Sequence, residues 1–154
     1  MSRKACKRKV RVVNTNILAY TMESACLIKF EDFNRLRIME LGQIESLATG
    51  KGTIADLKGL TDCLNLCETM ADMKIGPEAK PACEAAQAAI LSIMRRFERW
   101  QKIEATPAEV QALRDVYQFH DLQRQSISRG QYEKAIALTQ SRIRSKHPSC
   151  VEVA

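Results

Sequence analysis

Aromatic residues are scarce in this sequence: 154 residues hold one tryptophan, three tyrosines and four phenylalanines. A core must then be built from Ala, Leu, Ile and Met, which suits helix-on-helix packing. No apolar run approaches the ~18 residues of a membrane span. The basic N-terminus lacks the apolar stretch of a secretory signal, which predicts a cytoplasmic protein. In that compartment the cysteines at 6, 26, 63, 67, 83 and 150 read as reduced thiols. Their scatter through presumed helices does not form a disulfide framework. No stretch reads as a strand in the folded body. GQYEKAIAL (130–138) is similar to a helix of a tetratricopeptide repeat, but it occurs once, so no repeat architecture follows.

What is present is helical periodicity. Lys80 to Ile103 is the longest amphipathic stretch and predicts the element around which the chain is organised. Ala82, Ala86, Ala89, Ile93, Phe97 and Trp100 form its stripe, with Ala85 and Ile90 beside it, at the 3.6-residue period. The first half of the stripe is small, allowing close helix approach; the second half is bulky, so Ile93, Phe97 and Trp100 are expected core anchors. Asn14 or Asn16 caps a helix expected over roughly 17–29, with Leu18, Met22 and Cys26 on one face. A helix over about 32–48 carries Phe33, Leu36, Leu41, Ile44 and Leu47. Thr53 with Asp56 resembles a capping box opening a helix to about Met73, whose stripe is Leu57, Leu60, Leu64, Cys67 and Ala71.

Thr106-Pro107-Ala108-Glu109 combines an N-cap, Pro in the first turn and Glu at the third position. It starts a helix to about Ser126 with Val110, Leu113, Val116, Tyr117 and His120 inward. Ser128 starts the last helix, to about Ser145, with Tyr132, Ala135, Ile136, Thr139 and Ile143 on its stripe. The fold class is therefore all-α: a compact bundle of five or six helices. The expected layout is a basic arm at 1–13, one domain at 14–147 and a loose tail at 148–154. At this length a single domain buries roughly two-thirds of its unfolded surface.

Catalytic chemistry finds little support. Thr49-Gly50-Lys51-Gly52-Thr53 contains Gly-Lys, but a phosphate-binding loop needs G-x-x-x-x-G-K-[ST] between strand and helix. Here Gly follows the lysine and a helix precedes it, so a capping turn is the reading. Cys63 and Cys67 lie four apart, with Cys83 or His120 able to complete a metal set. Structural zinc uses two such pairs, so these thiols read as small core hydrophobes and no metal is expected. His120, Asp121 and Tyr117 form the one place where a general base is conceivable. Successive helical residues diverge by about 100°, so Asp121 cannot orient the His120 ring, and a core histidine is expected. No cofactor motif is found, and the chain reads as a non-enzyme.

The charge is more informative. Residues 1–11 carry +6, residues 12–121 carry −4 and residues 122–154 carry +4, a total of +6. Arg3, Lys4, Lys7, Arg8, Lys9 and Arg11 make a terminal arm of the kind that follows phosphate backbones. Arg95, Arg99 and Lys102 on the longest helix form a second basic surface; Arg142 and Lys146 on the last helix form a third. The arm has no aromatic for stacking and no helix pair carries a helix-turn-helix signature. Ala85 and Ala89 beside the stripe, with Leu91 on the opposite side, mark a possible face for weak homodimerisation.

Two segments, LRIMELGQIESLATGKGTIADLKGLTDCLNLCETMADMKIGPEAKPACEAAQAAI and ALRDVYQFHDLQRQSISRGQYEKAI, together with KRKVRVVN, resemble small helical proteins of proteobacterial phages and prophages. The resemblance spans about 7–143 and transfers no activity and no site. It implies a small phage accessory protein acting inside a bacterial cell. The expected function is non-catalytic binding of nucleic acid, or of a host nucleoprotein complex, through the basic termini. The alternative is an anti-CRISPR-like antagonist that captures a single host protein of a defence or regulatory complex.

Overall fold

A computed structural model describes residues 25–27 and 30–153, with Phe30 and Asp32 described by backbone alone. Five α-helices follow in order: α1 (Phe30–Ala48), α2 (Ile54–Asp72), α3 (Lys80–Trp100), α4 (Pro107–Ser126) and α5 (Arg129–Arg144). A 3-10 turn at Pro77–Ala79 leads into α3. The all-α bundle expected from periodicity is what forms. Among the described residues the sole β feature is an isolated bridge between Leu27 and Ser128. Among the described residues no helix is long and apolar enough to cross a membrane. The expected helix over 17–29 and the basic arm at 1–13 lie outside the described residues, apart from 25–27.

Three helix starts are set by reciprocal caps. Thr53 Oγ1 accepts from the Asp56 N–H at 3.2 Å while the Asp56 carboxylate accepts from the Thr53 N–H at 2.9 Å. Thr106 with Glu109 and Ser128 with Gln131 repeat the arrangement. Each box satisfies amide donors that the helix leaves without internal partners. Before the first of them, the turn at Gly50-Lys51-Gly52 closes tightly. A Cβ on Gly52 would sit 2.5 Å from Leu47 Cδ2 and 3.3 Å from Ile103 Cγ2, so any side chain there would displace the Leu47 methyl.

The hub of the bundle is α2, not the longer α3. It packs against α1, α3, α4 and α5, whereas the main helical neighbours of α3 are α2, α4 and the 3-10 turn. Leu57, Leu60, Leu64, Cys67 and Ala71 are buried as their spacing predicts, and Thr61, Asn65, Thr69 and Met70 join them. A helix buried nearly all round must satisfy its polar side chains internally. Thr61 donates to the Leu57 carbonyl at 2.7 Å and Thr69 to the Asn65 carbonyl at 2.8 Å. Asn65 clamps the C-terminal tail: its amide donates to Val151 O at 2.8 Å and accepts from Val151 N at 3.0 Å. Gln87 adds a bond to Ser149 O at 2.9 Å, and Val151 and Val153 pack on the core. The tail expected to be loose is thus docked on α2 and α3.

Two further expectations change. On α1 the buried side is Phe33, Arg37, Glu40, Ile44 and Leu47, while Leu41 is exposed. The true stripe runs through two charged residues, which an apolar pattern skips. On α3, Cys83, Ala86, Ala89, Ile90 and Ile93 are buried, Phe97 is half-buried and Trp100 is 56% exposed. The helix stops at Trp100 because Gln101 adopts φ 56°, a left-handed cap whose N–H donates to Phe97 O at 2.7 Å. The turn carries Ile103 into the core in place of the tryptophan.

Candidate functional site

The largest concentration of buried charge joins α1 to α4. Arg124 is wholly buried, and its guanidinium donates to both Glu40 oxygens at 2.9 and 2.6 Å. Arg37 makes a second fork to Asp121, with bonds of 2.6 and 3.0 Å. Arg124 also reaches Asp121 at 3.4 Å and lies 5.5 Å from the centre of the Phe33 ring. Burial acts to raise the Asp121 pKa, but the bonds and charge of Arg37 and Arg124 outweigh it and hold the carboxyl below its ordinary value. Bidentate charged pairs of this kind fix orientation as well as charge.

His120 sits beside this network, 1% exposed, with Nδ1 3.4 Å from Gln123 Oε1. Burial, reinforced by the positive charge of Arg124, lowers its pKa to about 3. The ring is therefore neutral at physiological pH. Asp121 turns to Arg37 instead of orienting His120, as the angular argument anticipates. Gln123 itself bonds the carbonyls of Cys67 and Ile75 at 3.2 and 2.8 Å, tying α4 to α2 and the loop after it.

One group of metal-ligating side chains comes together among the described residues: donor atoms of Glu40, Cys63 and His120 lie within 4.8 Å of one another. The electrostatics oppose a cation there. Both Glu40 oxygens already face the Arg124 guanidinium, which would stand against any added positive ion. Burial also pushes the Cys63 thiol well above its ordinary pKa, with the Glu40 charge adding to the rise. Cys67 and Cys83 approach to 3.6 Å between α2 and α3, both fully buried, and Cys67 is held far from thiolate by its bond to Cys83 and by burial. These groups are interior packing and pairing, closed to solvent.

The outer end of α3 is different. Arg95, Arg99 and Lys102 are exposed, and none of them holds an ion pair among the described residues. Lys102 stands two residues beyond the helix, since Gln101 ends it, so the three cations do not continue one helical face as the spacing suggests. Arg96, one residue from Arg95, is engaged: it pairs with Glu109 and bonds the Glu104 carbonyl at 2.8 Å. Trp100 lies beside the free cations with the Arg99 guanidinium 5.9 Å from its ring centre. Ser92, Arg95, Arg96, Glu98, Arg99 and Trp100 line an open groove of about 640 Å³.

The other predicted cations divide. Arg142 is engaged by Asp72 at 2.8 Å, and Lys80 holds the same carboxylate at 2.6 Å. Lys146 is exposed just past α5, in a left-handed conformation with φ 52°. The pair therefore does not make a joint basic surface. Arg3, Lys4, Lys7, Arg8, Lys9 and Arg11 lie outside the described residues. The charge network of Arg37, Glu40 and Arg124 escapes apolar-stripe reasoning. The signal in the sequence is a charged residue at each stripe position, four residues after Phe33 and four after His120.

No family model, curated protein or solved structure matches this chain.

Proposed function

We propose that this protein is a non-catalytic accessory protein, of the phage type its sequence resembles, that binds nucleic acid or a nucleic-acid-handling complex. The observation that carries the reading is the contrast among its arginines. Arg37, Arg96, Arg124 and Arg142 are each locked to a carboxylate, whereas Arg95 and Arg99 are exposed without one at the end of α3. Guanidinium groups without an internal partner are available as forked donors to phosphate. The basic arm at residues 1–11 adds charge of the same sign. The buried arginines and carboxylates of the interior are closed in ion pairs, which favours binding over catalysis.

The test is gel-shift or filter binding to DNA and RNA oligonucleotides at about 50 mM salt, where charge-driven affinity is strongest. The intact chain is expected to bind, and the triple variant R95A/R99A/K102A to bind more weakly while melting at the same temperature. Equal binding by both proteins would remove the α3 surface from the reading.

A second reading has its own support. Ile38 is 73% exposed and Met39 and Leu41 about half so on the outer side of α1, apolar area of the kind that protein partners cover. It favours the alternative, an inhibitor that captures one protein of a host defence or regulatory complex. Capture of a single protein that survives nuclease and moderate salt, by a chain that binds no oligonucleotide, would replace the first reading with this one.

A further inference from the structure

Trp100 is the chain's only tryptophan and is 56% exposed next to two arginines without carboxylate partners. The core cluster is built without Trp100, whereas Ile103, three residues on, is buried in it. Resting on the nucleic-acid reading above, we propose that the end of α3 binds a single strand: Trp100 stacks on one base, and Arg95 and Arg99 contact the flanking phosphates.

The geometry supports each part. Arg95 and Arg99 are one helical turn apart, about 6 Å along the axis, which places their forks over neighbouring backbone positions. The Arg99 guanidinium lies over the Trp100 ring, 5.9 Å from its centre, and the residue is 56% exposed, which leaves aromatic surface for a base to meet. The groove between them, about 640 Å³, is open to solvent along α3, so an extended strand can enter it from the side. Glu98 is the one carboxylate on its lining, against Arg95, Arg96 and Arg99, and Arg96 is neutralised by Glu109. The site thus keeps a net positive charge beside an aromatic face, the combination that single-strand binders use.

A duplex does not fit this arrangement as well. Its bases are already stacked on each other and cannot reach an indole without unpairing, so only an unpaired base offers Trp100 a free face. Stacking is tolerant of sequence because every base has a π-face, so discrimination should fall between strand forms and not between base sequences.

The chain's single tryptophan makes its own reporter. The full chain is titrated at about 50 mM salt with an oligothymidylate of about 15 nucleotides and with a duplex of equal length. Indole emission and the anisotropy of labelled oligonucleotide are followed together. The single strand should quench the indole, and W100A should weaken single-strand affinity about five- to a hundredfold while leaving duplex affinity unchanged. W100F should recover most of the loss. W100A should remain folded and melt above Ile93→Ala, because the residue is 56% exposed. Binding of the single strand without quenching, with W100A equal to wild type, would overturn the stacking proposal and leave the nucleic-acid reading intact. Binding to neither oligonucleotide would overturn both.

Discussion

Glu40 and Arg124 lie 84 residues apart in sequence and meet in the interior between α1 and α4. Arg124 is 0% exposed and Glu40 6%, so removing either side chain leaves the other charge buried. Glu40→Leu leaves Arg124 without its bidentate partner, with Asp121 at 3.4 Å as the nearest carboxylate, and Arg124→Met leaves both Glu40 oxygens without their guanidinium. Breaking a buried pair from one side costs about 3–5 kcal/mol, while replacing both by apolar residues is often close to neutral. Against a total stability of about 5–15 kcal/mol, each single variant should lose a large share. Urea titration reads this directly: with a slope of about 1–3 kcal/mol per molar, the midpoint should fall by roughly 1–5 M. The double variant Glu40→Leu, Arg124→Met should return to within about 1–2 kcal/mol of wild type. Single variants that each lose less than about 1 kcal/mol, or losses that simply add, would refute the claim that the pair is buried and mutually dependent.

The end of α3 offers a graded series. Ile93→Ala should cost about 2–5 kcal/mol, and Phe97→Ala about 2 kcal/mol, short of the ~3–5 kcal/mol of a fully buried ring. Trp100→Ala should cost about 1 kcal/mol, less than Ile93→Ala, because more than half of the residue is already exposed; a Trp100 loss exceeding that of Ile93 in thermal or urea unfolding would place the indole in the core. His120 makes stability depend on pH. Its folded pKa of about 3 lies below the ordinary value of 6.5, so the unfolded chain binds a proton that the folded chain excludes. The stability from keeping the ring neutral is present above pH 6.5 and is lost as pH falls toward 3. Between about pH 6.5 and 5 the slope should approach 1.4 kcal/mol per pH unit, and His120→Gln should flatten it; an unchanged slope in that variant would assign the effect elsewhere.

The helix order and the three capping boxes are readable from spacing alone, because caps are local chemistry. Thr53, Thr106 and Ser128 each need only the residue three positions on to close their box. The stripes of α2 and α4 are legible for the same reason. What escapes is settled between segments distant in sequence. The centrality of α2 is hidden because Thr61, Asn65 and Thr69 look like solvent-facing residues until their hydrogen bonds are counted. The stripe of α1 is misread because Arg37 and Glu40 acquire their partners from α4, 84 residues away.

Trp100 shows the limit of the helical wheel. The wheel assumes that the helix continues, and the left-handed Gln101 ends it one residue later, exchanging Ile103 for the tryptophan. The basic residues were legible as charge, but not their pairing. Arg96 and Arg142 find carboxylates while Arg95 and Arg99 do not, a distinction set by which side chains α4 and α2 bring near. The same misplacement hid the aromatic member of the candidate site, since a tryptophan assigned to the core is not considered as a stacking surface.

The claim that the protein binds phosphate chains through Arg95, Arg99 and the arm is tested most directly by the salt dependence of its affinity. Each phosphate contact on a single strand contributes about −0.7 to the slope of log affinity against log salt. Contacts from all six arm cations and from Arg95 and Arg99 would give a slope of roughly −5 to −6. A fourfold rise in salt, from about 50 to 200 mM, should then weaken binding by about a thousandfold or more. Removing residues 1–11 should leave a slope of roughly −1.5, and R95A/R99A in the full chain roughly −4. A slope flatter than about −1 for the full chain, or no binding at low salt, would contradict the account.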